Sequence, residues 1–175
     1  HHNAFTGNPP NLSSNPSIYY VRLSNNKLNG AIPGYKNKGS LYYLFLQDNQ
    51  LTAISKFENL PNLRYFYAHN NSISGEIPDF SECPRLYYLI LFNNNFTNYK
   101  SGSFKELYNI RYIDISNNNL SAQAITQLLD DLYENWKSVN RGGVTVNLRG
   151  NGSPNTEALE FIVILRSKGW NITHD

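Results

Sequence analysis

One short apolar motif recurs through this chain at a nearly fixed interval, and that recurrence constrains the fold more than any single residue does. Its copies read IYYVRLSNNKL (18–28), LYYLFLQDNQL (41–51), LRYFYAHNNSI (63–73), LYYLILFNNNF (86–96) and IRYIDISNNNL (110–120), and a degenerate sixth reads GVTVNLRGNGS (143–153). The first five begin 22 to 24 residues apart. A unit of that length cannot bury its apolar side alone, so the copies must stack and form their core between neighbouring coils.

Within each copy the apolar residues alternate, as they do in a short strand whose side chains point to opposite faces in turn. The fourth and sixth positions are Val21 and Leu23, Leu44 and Leu46, Phe66 and Ala68, Leu89 and Leu91, Ile113 and Ile115, and Val146 and Leu148. All are apolar and are expected to point inward. The third and fifth positions then point outward, and the second is read with them as part of the exposed face. The third holds Tyr20, Tyr43, Tyr65, Tyr88 and Tyr112; the second holds Tyr19, Tyr42, Arg64, Tyr87 and Arg111; the fifth holds Arg22, Phe45, Tyr67, Ile90 and Asp114. The seventh position adds Ser24, Gln47, His69, Phe92 and Ser116. Stacked parallel strands about 4.8 Å apart turn the tyrosine column into a ridge roughly 20 Å long.

The ninth position is asparagine in every copy: Asn26, Asn49, Asn71, Asn94, Asn118 and Asn151. An amide side chain carries two donors and an acceptor, which suits it to pairing the backbone groups of a turn that leaves a buried strand. These asparagines are expected to be structural. Six N-x-S/T sequons, at Asn11, Asn70, Asn95, Asn119, Asn151 and Asn171, arise largely from the same consensus. A second inward column precedes the motif, formed by Leu12, Tyr35, Phe57, Phe80 and Phe104. Cys83 stands where neighbouring copies have Leu60 and Leu107, so it is expected to be a buried hydrophobe and not a nucleophile.

After the fifth copy the pattern changes. Ile125, Leu128, Leu129, Leu132, Tyr133 and Trp136 recur at helical spacing, with Ser121 as N-cap and Gly142–Gly143 as the stop. A second helix is expected over 155–168, with Ala158, Leu159, Phe161, Ile162, Ile164 and Leu165 on or near its buried side, and 170–173 is a candidate final strand. The chain therefore divides into 1–17, a tag remnant (His1, His2) and weak cap; 18–120, five repeats; and 121–175, a helix-strand-helix cap holding the sixth copy.

The six copies fit L-x-x-L-x-L-x-x-N-x-L, and the whole chain from about residue 11 resembles leucine-rich-repeat proteins. The resemblance implies an α/β solenoid of about six parallel-strand coils with short irregular convex loops and a helical C-terminal cap. LNGAIP (28–33) and ISGEIP (73–78) are similar to the L-x-G-x-I-P variant of plant receptors. The segment from 117 to 175, with N-N-x-L, a helix, N-L-x-G-N-G, a second helix and G-W-x-I-T, more closely resembles the ending of such modules in tailed-bacteriophage structural proteins and bacterial surface proteins. It implies a virion or surface adhesin. The single cysteine excludes a disulfide within the chain, whereas extracellular members of the family in plants and animals are usually closed by paired cysteines.

Composition narrows the function further. A net charge of +2 with 16% charged residues is not the footprint of a nucleic-acid binder, and no apolar run reaches the length needed to insert in a membrane. No catalytic constellation is apparent: Asp48 and His69 fall in neighbouring coils but no serine or cysteine lies beside them. No metal site or cofactor is implied. The expected ligand-binding face comprises the tyrosines above with Arg22, Arg64, Arg111, Phe45, His69, Ile90, Phe92 and Asp114. Its partner is a protein or glycan on a host cell, or a neighbouring subunit of the same particle, met outside the cell or on the virion surface. Ladder packing alone is the bland alternative, because tyrosine favours strands in its own right.

Overall fold

The computed structural model describes residues 3–175, so the tag reading of His1 and His2 lies outside it. The chain opens with β1 (Thr6–Gly7). It then alternates a three-residue motif strand with a strand on the flank: β2 (Tyr20–Arg22), β3 (Lys27–Ile32), β4 (Tyr43–Phe45), β5 (Gln50–Ile54), β6 (Tyr65–Tyr67), β7 (Ser74–Ile77), β8 (Tyr88–Ile90), β9 (Asn95–Tyr99) and β10 (Tyr112–Asp114). α1 (Ala122–Val139), β11 (Thr145–Asn147), α2 (Thr156–Ser167) and β12 (Asn171–Thr173) follow.

The motif strands form one parallel sheet in the order β12-β11-β10-β8-β6-β4-β2. Its register pairs Tyr20 with Tyr43, Tyr43 with Tyr65, Tyr65 with Tyr88 and Tyr88 with Tyr112, then Tyr112 with Thr145 and Thr145 with Asn171. A shift of one residue would exchange the inner and outer faces, so the apolar alternation fixes this alignment. The fold is an α/β solenoid. Where irregular loops were expected, the flank carries two further short parallel sheets, β1-β3-β5 and β7-β9.

The inward columns form the core. Of the fourth- and sixth-position residues, Leu44, Leu46, Phe66, Ala68, Leu89, Leu91, Ile113 and Ile115 are fully enclosed, while Leu23 in the first coil is partly exposed. Phe57, Phe80 and Phe104 make the aromatic spine, with ring centroids 5.7 and 6.3 Å apart, and Tyr35 extends it. Each buried ring contributes about 2 to 3 kcal/mol relative to an exposed one. Cys83 is buried, and burial pushes its thiol pKa well up, away from the thiolate form.

The asparagine ladder works coil by coil. Asn94 Nδ2 donates to Leu91 O and to Ala68 O of the preceding coil, each at 3.0 Å, while its Oδ1 accepts from Ile73 N at 3.0 Å. Asn49, Asn71, Asn118 and Asn151 repeat the arrangement. Asn26 donates to Leu23 O and accepts from Phe5 N. Within the segment expected as a weak cap, Phe5 thus meets Asn26 as a coil residue would, and β1 pairs in parallel with β3.

At the other end α1 begins at Ser121, whose side chain accepts from Ala124 N. It stops at Asn140 in the left-handed conformation (φ 45°), before the glycines expected to end it. Ile125, Leu128, Leu129 and Leu132 are buried, and Tyr133 packs on Trp136 and on Phe161 of α2. Asp131, fully buried, accepts from Tyr99 Oη and from the Gly102 and Phe104 amides, tying α1 to the fourth coil. In α2 the expectation for Leu159 is corrected: only Ala158, Ile162 and Leu165 are buried, and Leu159 faces solvent because it lies on the opposite side of a single-layer helix.

Candidate ligand-binding face

Every outward tyrosine of the motif lies on one side of the seven-stranded sheet, and the rings stack on one another. Tyr43 and Tyr65 are 4.9 Å apart at an interplanar angle of 15°, and Tyr65 and Tyr88 are 5.5 Å apart at 11°. The fifth column adds Phe45 on Tyr67 at 4.6 Å and 23°, and the seventh adds His69 on Phe92 at 4.4 Å and 17°. The cause is register: rings from adjacent parallel strands start one strand spacing apart, close to an aromatic contact distance. Tyr20 and Tyr112, at the ends of the column, tilt away from parallel with Tyr43 and Tyr88.

Stacking uses up ring faces and leaves ring edges and hydroxyls outward. The hydroxyls of Tyr65, Tyr67 and Tyr88 make no hydrogen bond among the described residues and are not enclosed. Burial, and then the neighbouring phenols, raise the pKa of Tyr65 and Tyr67, so these groups stay protonated donors. Exposure declines along the column, from 53% at Tyr19 and 44% at Tyr20 to half-buried rings in the later coils.

Three arginines flank the ridge. The Arg64 guanidinium sits 5.1 Å from the Tyr42 ring centroid, Arg111 Nη1 donates to Gly142 O at 3.1 Å, and Arg22 is exposed on β2. Among the described residues, the ion pairs are Lys36–Glu58, Lys105–Asp131 and Lys137–Glu134, so none involves these arginines. His69 is half-buried; burial lowers its pKa, against the opposing pull of Asp48 and Asp114.

Two residues expected on the binding face are not available there. Ile90 is only 9% exposed, enclosed between neighbouring columns, so it is not part of the apolar surplus that Phe45 and Phe92 provide. Asp114 is 8% exposed: its Oδ1 accepts from Ser116 N (3.0 Å) and Ser116 Oγ (2.6 Å), and its Oδ2 from Asn147 Nδ2 (3.2 Å) and Tyr112 Oη (3.3 Å). Ser24 and Ser116, read as outward, are also buried.

The sequence reading missed a second ladder along the rim. The eighth positions, Asn25, Asp48, Asn70, Asn93 and Asn117, all adopt positive φ between 51° and 59°, and Gly150 of the sixth copy adopts 69°. Asparagine, aspartate and glycine tolerate that conformation best, which explains the residue choice. Their side chains link in series: Asn117 donates to Asn93 (2.9 Å), Asn93 to Asn70 (2.8 Å) and Asn70 to Asp48 (2.7 Å). The signal was present as Asn or Asp immediately before the ladder asparagine in each of the first five copies. Among the described residues no group of three or more His, Cys, Asp or Glu side chains is placed to hold a metal ion.

The leucine-rich-repeat family models match residues 62–83 and 84–130. Residues 62–130 are thus leucine-rich repeats. Solved structures with the same fold include the ectodomain of the plant receptor kinase GASSHO1/SCHENGEN3 from Arabidopsis thaliana in complex with CASPARIAN STRIP INTEGRITY FACTOR 2, with 24% identity over 86% of this chain and 20% of that one, at a TM-score of 0.58. The plant peptide hormone receptor RGFR1 in complex with RGF2 matches at 24% identity over 85% of this chain and 27% of that one, with a TM-score of 0.51. PEPR1-AtPEP1 matches at 20% identity over 97% of this chain and 31% of that one, with a TM-score of 0.50. The chain thus spans less than a third of the length of these solved chains. No curated protein matches it. None of the matched families is enzymatic, and among the described residues no helix is long and apolar enough to cross a membrane.

Proposed function

We propose that the protein is a recognition module whose aromatic sheet face binds an extended peptide segment of a protein partner, without catalysis. The observation that carries this reading is the near-parallel stacking of Tyr43, Tyr65 and Tyr88. Sugar rings are held by aromatic platforms that offer a free face, and here the faces are engaged along the ladder. What remains is a row of ring edges and phenol donors, suited to peptide carbonyls and side chains. Tyrosine also loses little conformational entropy on contact. The complexes with peptide ligands among the structural neighbours are consistent with this use of the fold.

The binding residues in this reading are Tyr19, Tyr20, Tyr42, Tyr43, Phe45, Tyr65, Tyr67, His69, Tyr87, Tyr88, Phe92 and Tyr112, with Arg22, Arg64 and Arg111 beside them. The C-terminal resemblance implies display on an outer surface, a virion or a cell, where a peptide segment of a host or neighbouring protein is the ligand. A displayed library of random dodecapeptides tests the face directly. The native chain is expected to enrich a family of sequences, and the Tyr43→Ala/Tyr65→Ala/Tyr88→Ala variant to enrich none while keeping its circular dichroism spectrum. Equal enrichment by the variant, or binding confined to a glycan panel, overturns the proposal.

A further inference from the structure

We infer that the peptide recognised on this face is acidic, with carboxylates about three residues apart along an extended backbone that crosses the strands. This deepens the peptide reading and rests on it. Arg22, Arg64 and Arg111 belong to the first, third and fifth coils, β2, β6 and β10 carrying or adjoining them. They recur at every second strand. Two strand spacings amount to roughly 10 Å, and three residues of extended chain also span roughly 10 Å. Arg64 and Arg111 both stand at the second motif position, two strands apart on one side of the tyrosine column, so a peptide laid along that side presents residues three apart to them, while Arg22, at the fifth position, lies on the other side of Tyr20.

The acids of the face, Asp114 and Asp48, are engaged in hydrogen bonds and form no ion pair with these arginines. Asp114, the one acid among the outward strand positions, is buried and accepts four hydrogen bonds, and Asp48 on the rim accepts from Asn70. Glu58, Glu134 and Asp131 pair with lysines on other sides of the molecule. The face thus bears three unpaired cations on a chain whose total charge is only +2. Arg64 rests over the Tyr42 ring, and Arg111 is oriented by Gly142 O, so both are positioned before a ligand arrives. At the far end Arg141 reinforces the positive field: it is anchored on Tyr108 O and Ile110 O, and burial followed by the Arg111 charge lowers its pKa. Planar guanidiniums with free donors favour carboxylates, which they meet in bidentate fashion.

Three fixed-register dodecapeptide libraries separate the possibilities. One carries Glu at the third, sixth and ninth positions, one carries Gln there, and one carries Glu at three consecutive positions. The native chain is expected to enrich the spaced-Glu library at least about tenfold over the other two, the scale of a single charge-assisted bond. The Arg64→Gln/Arg111→Gln variant is expected to enrich all three alike, and about 0.5 M salt to erase the preference in the native chain. Equal enrichment of Glu and Gln libraries by the native chain overturns the acidic ligand while leaving peptide recognition standing. Enrichment of none by any form overturns both, and retention on an acidic polysaccharide that depends on the same arginines assigns the face to a glycan instead.

Discussion

The two ends of the sheet use the same motif positions for opposite purposes. In the first four coils the third and fifth positions carry Tyr20, Tyr43, Phe45, Tyr65, Tyr67 and Tyr88, whose rings touch one another and remain open to solvent on one side. At the fifth and sixth coils those positions carry Tyr112, Asp114, Thr145 and Asn147, and the chain turns its polar groups on itself. Asp114 gathers Ser116, Asn147 and Tyr112, and Asn147 in turn accepts from Thr173 Oγ1 at 2.9 Å. Position in the repeat therefore sets where a side chain points, and its chemistry decides whether it serves a ligand or the fold.

Cutting the polar end should cost the most stability and no binding. Asp114→Ala leaves the Ser116 amide and hydroxyl and the Asn147 amide without their acceptor in a mostly buried place. An unpaired buried polar group costs about 1 to 3 kcal/mol, and rearrangement at the sheet surface offsets part of it, so a loss of about 2 kcal/mol is expected in denaturant titration. Enrichment of peptides by the variant is expected to match the native chain. A stable variant that no longer binds would place Asp114 in contact with the ligand and erase the contrast between the two ends.

The aromatic end should show the reverse. Tyr65 stacks on Tyr43 and Tyr88, and each such contact is worth about 0.5 to 1.5 kcal/mol. The ring is open on one side and water replaces part of what is lost, so Tyr65→Ala is expected to destabilise by about 1 kcal/mol while reducing peptide enrichment sharply. Tyr65→Phe keeps the stack and removes only the hydroxyl. It is expected to leave stability unchanged and to weaken binding by the worth of one hydrogen bond, a few-fold in affinity. If Tyr65→Phe binds as the native chain does, the phenol donors have no part in recognition.

Much of this was legible from the residues, for reasons that also explain where legibility stopped. The period-two alternation fixed which side chains point inward, and the buried Leu44, Phe66, Leu89 and Ile113 follow it. The ladder asparagines were legible because the same amide recurs wherever a turn leaves a buried strand. Pointing outward is not the same as being exposed, however. Ile90 and Asp114 are buried, Asp114 among Tyr112, Ser116 and Asn147 of the next strand, and alternation within one strand carries no information about its neighbours. Ring stacking was invisible for the same reason, since it depends on χ angles set across strands. The flank strands escaped notice because LNGAI, LTAIS and FTNY lack alternation and read as loops, yet regular stacking brings their backbones into register with the next coil.

The smallest effect, and the most specific to each end, lies in the tyrosine pKa values. Burial raises Tyr65, Tyr67 and Tyr112 above the ordinary 10.0; the neighbouring phenols add to the rise at the first two, whereas Asp114 adds to it at Tyr112. A tyrosine with a raised folded pKa keeps its proton where the unfolded chain has lost it. Its stabilisation is therefore complete below about pH 10 and is lost as pH climbs through the folded value. Because these rings are only half-buried, the expected fall in stability is slight, and the site-resolved titration is the better measure. With the tyrosine ring carbons followed by NMR, Asp114→Ala is expected to bring the Tyr112 transition down toward its ordinary range and to leave Tyr65 and Tyr67 where they are. If all three move together, the sheet titrates as one coupled array, and the division between its aromatic and polar ends fails.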